Sequence, residues 1–140
     1  MRDEPAGERV LSMPGRRDYP GAFNLFQRMM LRWRDLHPYN AVHAVHVAQP
    51  LDAARVRGAA AATLQAMGIG GLALDAARRR YVYRGGPVDP ELAVVDVADD
   101  ELDAALAREI ELQLNRPFAI GAPLRFFAVA SPAGYHLGLV

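Results

Sequence analysis

Residues 112–140 read LQLNRPFAIGAPLRFFAVASPAGYHLGLV and contain the most specific pattern in the sequence. The segment predicts the end of a helix, an Asn-x-Pro-Phe corner at 115–118, a strand at 124–130 and a Ser-Pro-Ala-Gly turn at 131–134. A second strand then continues to Val140. A chain that stops within a strand, with no turn or polar tail behind it, is typical of a fragment. We therefore expect the decisive chemistry to follow Val140.

Composition limits the class of protein and its partners. The chain has 140 residues, enough for one domain with a real core, and 51% of them are hydrophobic, which argues against disorder. The formal net charge is zero, so no nucleic-acid partner is indicated. The sequence has no cysteine, which excludes disulfides, thiolate nucleophiles and cysteine-based zinc sites. The acidic N-terminus and the lack of a long apolar run predict neither a signal peptide nor a membrane span, and favour a cytoplasmic location.

Three helices precede or enter the corner. The last, at 101–114, follows two aspartates and has an apolar residue every four positions: Leu102, Leu106, Ile110 and Leu114. An alanine-rich helix at 53–67 lies between Asp52, a good N-cap, and Gly68, a natural C-terminal stop; its small side chains predict close packing on a sheet. The first helix, at 22–35, has an apolar face and ends before Pro38.

Strand patterns occupy the intervals between the helices. They lie at 40–48, 72–75, 79–84 and 93–97, and the second and third of them predict a hairpin. With the two terminal strands, this order predicts an α+β fold: a two-layer sandwich of one mixed, mostly antiparallel sheet with helices on one face. Residues 1–18 have no sustained period and predict a flexible lead-in, so residues 19–140 form the folded unit.

Three phrases are similar to those of a known family. They are FNLFQRMMLRW at 23–33, a strand–Pro-Leu-Asp–helix order at 42–67, and NRPF…GAPLR at 115–125, which is the most specific. They resemble the N-terminal portion of condensation domains in the chloramphenicol acetyltransferase-like superfamily, which includes nonribosomal peptide condensation domains, wax-ester synthases and polyketide-associated acyltransferases. Two departures stand out: Ala119 replaces the family's aspartate, and its Arg-His-x-x-Leu-Arg segment is not recognisable at 66–71.

The resemblance implies half of an acyltransferase of secondary metabolism, such as nonribosomal peptide synthesis. Such an enzyme joins an acyl thioester to an alcohol or amine, with the acyl group carried by coenzyme A or a phosphopantetheine carrier and no bound cofactor. Its catalytic His-His-x-x-x-Asp-Gly motif would follow Val140, so this chain alone is expected to be inactive. The implied partners are the remaining C-terminal part of the enzyme and an acyl or peptidyl carrier protein.

No catalytic residue is assigned within the chain, because His136 lies too early to match either motif histidine. By resemblance, Tyr39, Asn40 and His43 line the mouth of the acyl tunnel; the alternative is a turn with ordinary capping groups. A metal site is not predicted, since His43 and His46 are three apart on a strand and point to opposite faces.

Two further interpretations remain open. The first is a non-catalytic half-domain that acts as a binding or assembly module through the exposed sheet edge of its last strand. The second is an unrelated α+β sandwich with a similar order of elements, because fold alone does not fix function.

Overall fold

The computed structural model describes residues 19–34, 36–38, 40–69, 71–75, 77–83, 89–118 and 124–140. The predicted lead-in at 1–18 lies outside these residues. In chain order the elements are β1 (Tyr19–Ala22), α1 (Leu25–Arg34), β2 (His43–Val47), α2 (Ala53–Ala66), β3 (Leu72–Asp75), β4 (Arg80–Tyr83), β5 (Leu92–Asp96), a 3-10 turn (Asp99–Glu101), α3 (Leu102–Asn115), β6 (Phe126–Ala130) and β7 (Tyr135–Leu139).

A four-stranded sheet organises most of the chain. Its strand order is β2-β7-β6-β5; β7 is antiparallel to both neighbours, and β5 is parallel to β6. A smaller sheet of order β1-β4-β3 contains the predicted hairpin. The last strand therefore lies inside the larger sheet, and our expectation that it would offer a free edge is wrong. The edges of that sheet are β2 and β5.

The two faces of the four-stranded sheet have different partners. Because side chains alternate along a strand, Phe127, Val129 and Val140 share one face, where they form a core cluster with Ala105 of α3. Phe126, Leu137 and Leu139 lie on the opposite face, toward α2. We call these the α3 face and the α2 face.

The predicted α+β class and the mixed, mostly antiparallel sheet are confirmed, with α3 packed on the sheet as a second layer. Two details differ from the sequence prediction. The hairpin belongs to a separate sheet, and α2 faces the side of the larger sheet opposite to α3. The physical reason is visible in β6, FFAVA, which is apolar at every position and therefore presents a hydrophobic surface on both faces.

Local signals fixed some helix ends better than others. The α2 boundaries agree with the prediction: the Asp52 carboxylate accepts a hydrogen bond from the backbone N–H of Arg55 at 3.0 Å, and Gly68 has a φ of +69°. Helix α1 begins later than predicted, because Asn24 and Gln27 form a reciprocal capping box at 2.8 and 2.9 Å. The residues just before it form β1 instead.

The buried stripe of α3 also differs from the prediction. Leu102, Leu106 and Ile110 pack on the core, but Leu114 is exposed and Gln113 is buried in its place. Three turns of 3.6 residues advance a helix by about 11 positions, so the face that contains Leu102 returns near residue 113. A spacing of exactly four residues advances slightly more than one turn each time, so Leu114, three such spacings after Leu102, no longer lies on the buried face.

Candidate functional site

The corner after α3 is built around the buried guanidinium of Arg125. This side chain is 5% exposed, and its Nη2 donates to the carbonyl oxygens of Gln113 and Arg116 at 3.1 and 3.0 Å. Its Nη1 donates to the Pro117 carbonyl at 2.9 Å, and its Nε donates to the Gln113 side-chain oxygen at 2.9 Å. Arg125 thus satisfies carbonyls at the end of α3 that the helix itself leaves unpaired.

The charge of Arg125 is balanced by dipoles and an aromatic ring. No carboxylate in the described part of the chain contacts it directly; instead it lies at the negative end of α3 and 4.0 Å from the centre of the Phe118 ring. Burial, assisted by Arg116, lowers the pKa of this guanidinium from its ordinary value, and Glu91 opposes the shift. The structure thus shows a buried cation that is held by carbonyl oxygens.

Asn40 completes this corner from a segment 73 residues before Gln113 in the sequence. Its side-chain Nδ2 donates to the carbonyl oxygens of Gln113 and Arg116 at 2.8 and 2.7 Å, so each of these oxygens accepts from both Asn40 and Arg125. The Gln113 side chain is oriented by Glu109, whose carboxylate accepts from it at 2.7 Å. We call Asn40, Gln113 and Arg125 the corner network.

The corner network is joined directly to the end of β7. The backbone N–H of Arg125 donates to the Val140 carbonyl at 3.2 Å, and the Val140 N–H donates back to Arg125 at 3.0 Å. Arg125 therefore links Val140, through its backbone, to the end of α3, through its side chain. A segment that continued from Val140 would leave the sheet at a well-defined place.

The three residues predicted to line a tunnel have different positions. Asn40 lines a cavity of about 320 Å³ between α1 and Phe118, but both of its amide contacts are structural. His43 is exposed on the edge strand β2, opposite Leu139 and on the α2 face. Tyr39 lies outside the described residues. The structure therefore places Asn40 against a cavity and does not bring His43 to it.

A larger cavity, of about 630 Å³, separates α2 from the sheet. Its walls are mainly apolar, with Val56, Ala60 and Leu64 from α2 and Phe126 and Leu137 from the sheet. The close helix–sheet packing expected from the alanines of α2 is therefore not observed, because small side chains leave the space between the layers unfilled.

Two histidines come together across β2 and β7. His46 pairs with His136 in the antiparallel ladder, and their rings lie 4.9 Å apart between centres. The His136 Nε2 atom is 3.4 Å from the Asp103 carboxylate. His43 and His46 lie on opposite faces, as the spacing predicted. Across the residues that the structure covers, no three histidine, cysteine or acidic side chains are arranged to hold a metal ion.

Sequence reasoning missed Gln113 and underestimated Arg125. Gln113 could have been found from the helical period, which places it on the buried face of α3. A polar side chain on such a face requires a hydrogen-bond partner, and Arg125 is the long polar side chain just beyond the corner. The contribution of Asn40, 73 residues from Gln113, has no local sequence signal.

Comparisons with known proteins identify the fold. No protein-family model matches the sequence, and no curated protein is similar to it. Among solved structures, the chain is similar to the starter condensation domain of the rhizomide synthetase RzmA, with 15% identity and a TM-score of 0.70, over 86% of this chain and 32% of that one. It is also similar to the first condensation domain of the CDA synthetase, with 14% identity and a TM-score of 0.64, over 86% of this chain and 35% of that one.

A third similar structure is the condensation domain from the monacolin K polyketide synthase MokA, with 17% identity and a TM-score of 0.63, over 86% of this chain and 29% of that one. The chain thus spans about a third of the length of the solved structures that it matches. The resemblance predicted from the sequence is confirmed at the level of the fold, which is shared with part of a condensation domain.

None of the helices in the described ranges has both the length and the apolar character needed to cross a bilayer.

Proposed function

We propose that this chain is the N-terminal part of an acyltransferase of the condensation type, which joins an acyl thioester to an alcohol or amine acceptor. The observation that carries the proposal is the likeness to condensation domains of nonribosomal peptide and polyketide synthases over 86% of the chain. The sequence phrase NRPF…GAPLR also supports it, and the Arg125 guanidinium of this phrase donates to the carbonyl oxygens of Arg116 and Pro117 within the same phrase.

The corner network provides the physical basis of the proposed role. An acyl-transfer enzyme needs a general base held within hydrogen-bond distance of the acceptor proton, and a small displacement of that base is costly to the rate. Arg125 joins the end of α3 to Val140 through hydrogen bonds from both its side chain and its backbone. We propose that this arrangement positions catalytic residues that follow β7, and that residues 19–140 alone have no activity.

The proposed acyl donor is a thioester of coenzyme A or of a phosphopantetheine carrier protein. One similar structure, a starter condensation domain of the rhizomide synthetase, is in complex with C8-CoA; the match has 16% identity and a TM-score of 0.66, over 86% of this chain and 30% of that one. For this chain, an acyl or peptidyl carrier protein and the remainder of the enzyme are the corresponding proposed partners.

The test begins with the gene that encodes the chain. The proposal expects codons for a His-His-x-x-x-Asp-Gly-like motif shortly after Val140. A protein extended through the following domain should transfer an acyl group from a thioester to an amine or alcohol. The same protein with alanine at the second motif histidine should lose most of this activity, and the 140-residue chain should have none. An absent motif, or activity that survives the histidine substitution, would exclude the proposed mechanism.

A second candidate function is assembly through the edge strand β2. This strand, HAVHV, carries no acidic or arginine side chain that would discourage pairing, and Val45 is 58% exposed. If this candidate is correct, light scattering of the purified chain will show a defined dimer that Val45→Lys converts to a monomer. A monomeric wild-type chain at high concentration would contradict it.

A further inference from the structure

The cavity between α2 and the sheet has the size of a ligand site. Its volume of about 630 Å³ lies within the range of about 300–1,000 Å³ that is typical of small-molecule pockets. Ala59 and Ala60 on α2 face the larger side chains of Phe126 and Leu137 across it. Because the helix contributes small side chains at its centre, the hydrophobic surface of the sheet is left without a protein partner there.

Most polar groups of this cavity lie where α2 begins, and Thr63 is the exception nearer the other end of the helix. Gln49, Asp52 and Arg55 line that end. Tyr135 lines the cavity too, and it pairs with Val47, the last residue of β2, so it belongs to the same end. The residues at the other end of α2, Met67 and Ile69, are apolar. The cavity therefore has one polar end and one apolar end.

Tyr135 and Arg55 both have unused hydrogen-bonding capacity. The Tyr135 side chain is only 6% exposed, yet no described residue hydrogen-bonds to its hydroxyl group. The hydroxyl itself is not enclosed, because among the described residues only Arg28 Nε is a side-chain atom that is both fully buried and without a partner. No carboxylate in the described part of the chain forms an ion pair with the Arg55 guanidinium. These two donors are available to a ligand at the polar end.

The charge at this end favours an anion. Asp52 is the other charged group that lines the cavity, but its carboxylate accepts the backbone N–H of Arg55 and lies at the positive end of the α2 dipole. Its charge is therefore offset by the helix terminus that it caps. Arg55 is exposed at this end, and within the described residues no carboxylate pairs with it, so its charge is offset by solvent alone.

We propose that this cavity binds a linear hydrocarbon chain with a carboxylate head group. The head group accepts hydrogen bonds from Arg55 and Tyr135, and the hydrocarbon chain lies between α2 and the sheet toward Met67. The inference does not rest on the proposed acyl transfer, because a free carboxylate has no thioester to donate, and it predicts equilibrium binding by the 140-residue chain itself.

Calorimetric titration of the chain with saturated carboxylates, each below its micelle concentration, tests the hydrocarbon site. Affinity should rise about fourfold for each added methylene group from octanoate to dodecanoate, because each group removes similar apolar area from water. Dodecanoate should bind about tenfold more tightly than dodecanol, which has the same chain and no charge. No measurable binding of dodecanoate, or affinity that is independent of chain length, would overturn the proposal.

Matched substitutions on α2 locate the site. Ala60→Phe fills the cavity and should weaken dodecanoate binding more than tenfold, whereas Ala62→Phe, on the exposed side of the same helix, should not. Circular dichroism and the urea midpoint of each variant establish whether it is folded. Equal binding by two folded variants would place the ligand elsewhere and exclude this cavity.

The head group is tested with variants that do not enlarge any side chain. Arg55→Gln and Tyr135→Phe should each reduce the preference for dodecanoate over dodecanol severalfold, and Arg57→Gln, an exposed arginine that does not line the cavity, should retain it. If Arg55→Gln and Tyr135→Phe both leave the preference unchanged, the assigned head-group site is wrong. These variants keep the proposal testable if Ala60→Phe does not fold.

Discussion

The two faces of the four-stranded sheet are built from the same strands but are packed differently. On the α3 face, Phe127 is 0% exposed and lies in one cluster with Val129, Val140 and Ala105. On the α2 face, Phe126 borders an open cavity of about 630 Å³. Phe127 therefore packs in a filled core, whereas its neighbour in the same strand, Phe126, faces an incompletely filled one.

The difference originates in the helices. Helix α3 presents Leu102, Leu106 and Ile110 to the sheet, and its C-terminal end is held by the corner network. Helix α2 presents alanines, and Leu64 is its buried residue. The α3 face therefore carries most of the stability that side-chain packing provides, while the α2 face leaves apolar surface of the sheet uncovered.

The largest expected change in stability comes from replacing Phe127, and replacing Phe126 should have a smaller effect. Phe127→Ala removes a fully buried ring and should lower the free energy of unfolding by about 3–5 kcal/mol. Phe126→Ala should cost roughly half of that, because this side chain already borders open space. Urea denaturation of both variants measures the two values. Equal losses would mean that the α2 face is as well packed as the α3 face.

The corner network should have the next largest effect. Arg125→Met leaves the carbonyl oxygens of Gln113, Arg116 and Pro117 with fewer donors in a buried site, at a cost of about 2–4 kcal/mol. The control is Arg116→Met, since this exposed side chain makes only a 3.4 Å contact with Glu91 and should change stability by about 0.5 kcal/mol or less. Comparable losses in the two variants would contradict the structural role of Arg125.

Sequence reasoning recovered the features that depend on short-range patterns. Asp52 and Gly68 delimit α2 as predicted, because a cap is formed by residues within a few positions of each other. The family resemblance led to the correct fold because the NRPF corner is itself a local motif. The location of α2 on the opposite face was not predictable, since an apolar run such as FFAVA is equally suited to partners on either side.

The candidate sites were harder to predict for the same reason. Arg125 and Asn40 share an acceptor, the Arg116 carbonyl, only because the sheet brings β2 next to β7. No sequence pattern near either residue predicts this pairing. The cavity depends on the absence of side-chain volume between two layers. An alanine-rich helix is compatible both with close packing on a sheet and with an unfilled gap between helix and sheet. Only the three-dimensional structure distinguishes these two outcomes.

Two glycines test the difference in packing between the α3 face and α2, with a smaller expected effect. Gly138 lies on the α3 face, where an added Cβ would overlap the Phe127 ring, so Gly138→Ala should cost about 1–3 kcal/mol. Gly58 is in α2 with nothing within 4 Å of an added Cβ, and Gly58→Ala should stabilise the chain by about 0.5–1 kcal/mol. Thermal unfolding of both variants measures the opposite signs. A tolerated Gly138→Ala would show that the α3 face can relax.

The smallest expected effect concerns the β6–β7 turn, which is tied to the start of α3 by Asp99. The nearby Ser131 side chain and the backbone N–H of Ala133, which donates to the carboxylate at 3.0 Å, lower the pKa of the Asp99 carboxyl below its ordinary value of 3.8. A lowered pKa in the folded state favours the ionised form, so this contribution to stability is present above pH 3.8 and is lost as the pH falls through the folded-state pKa.

Asp99→Asn should therefore be less sensitive to acid than the wild-type chain. Between about pH 6 and about pH 3, its urea midpoint should fall less, because the substituted side chain has no proton to gain. Asp100→Asn, at the neighbouring exposed position in the same 3-10 turn, should follow the wild-type curve. If the two variants respond to acid alike, the contact between Asp99 and Ala133 does not stabilise the α3 face. The tight packing of that face would then depend on its apolar residues and the corner network alone.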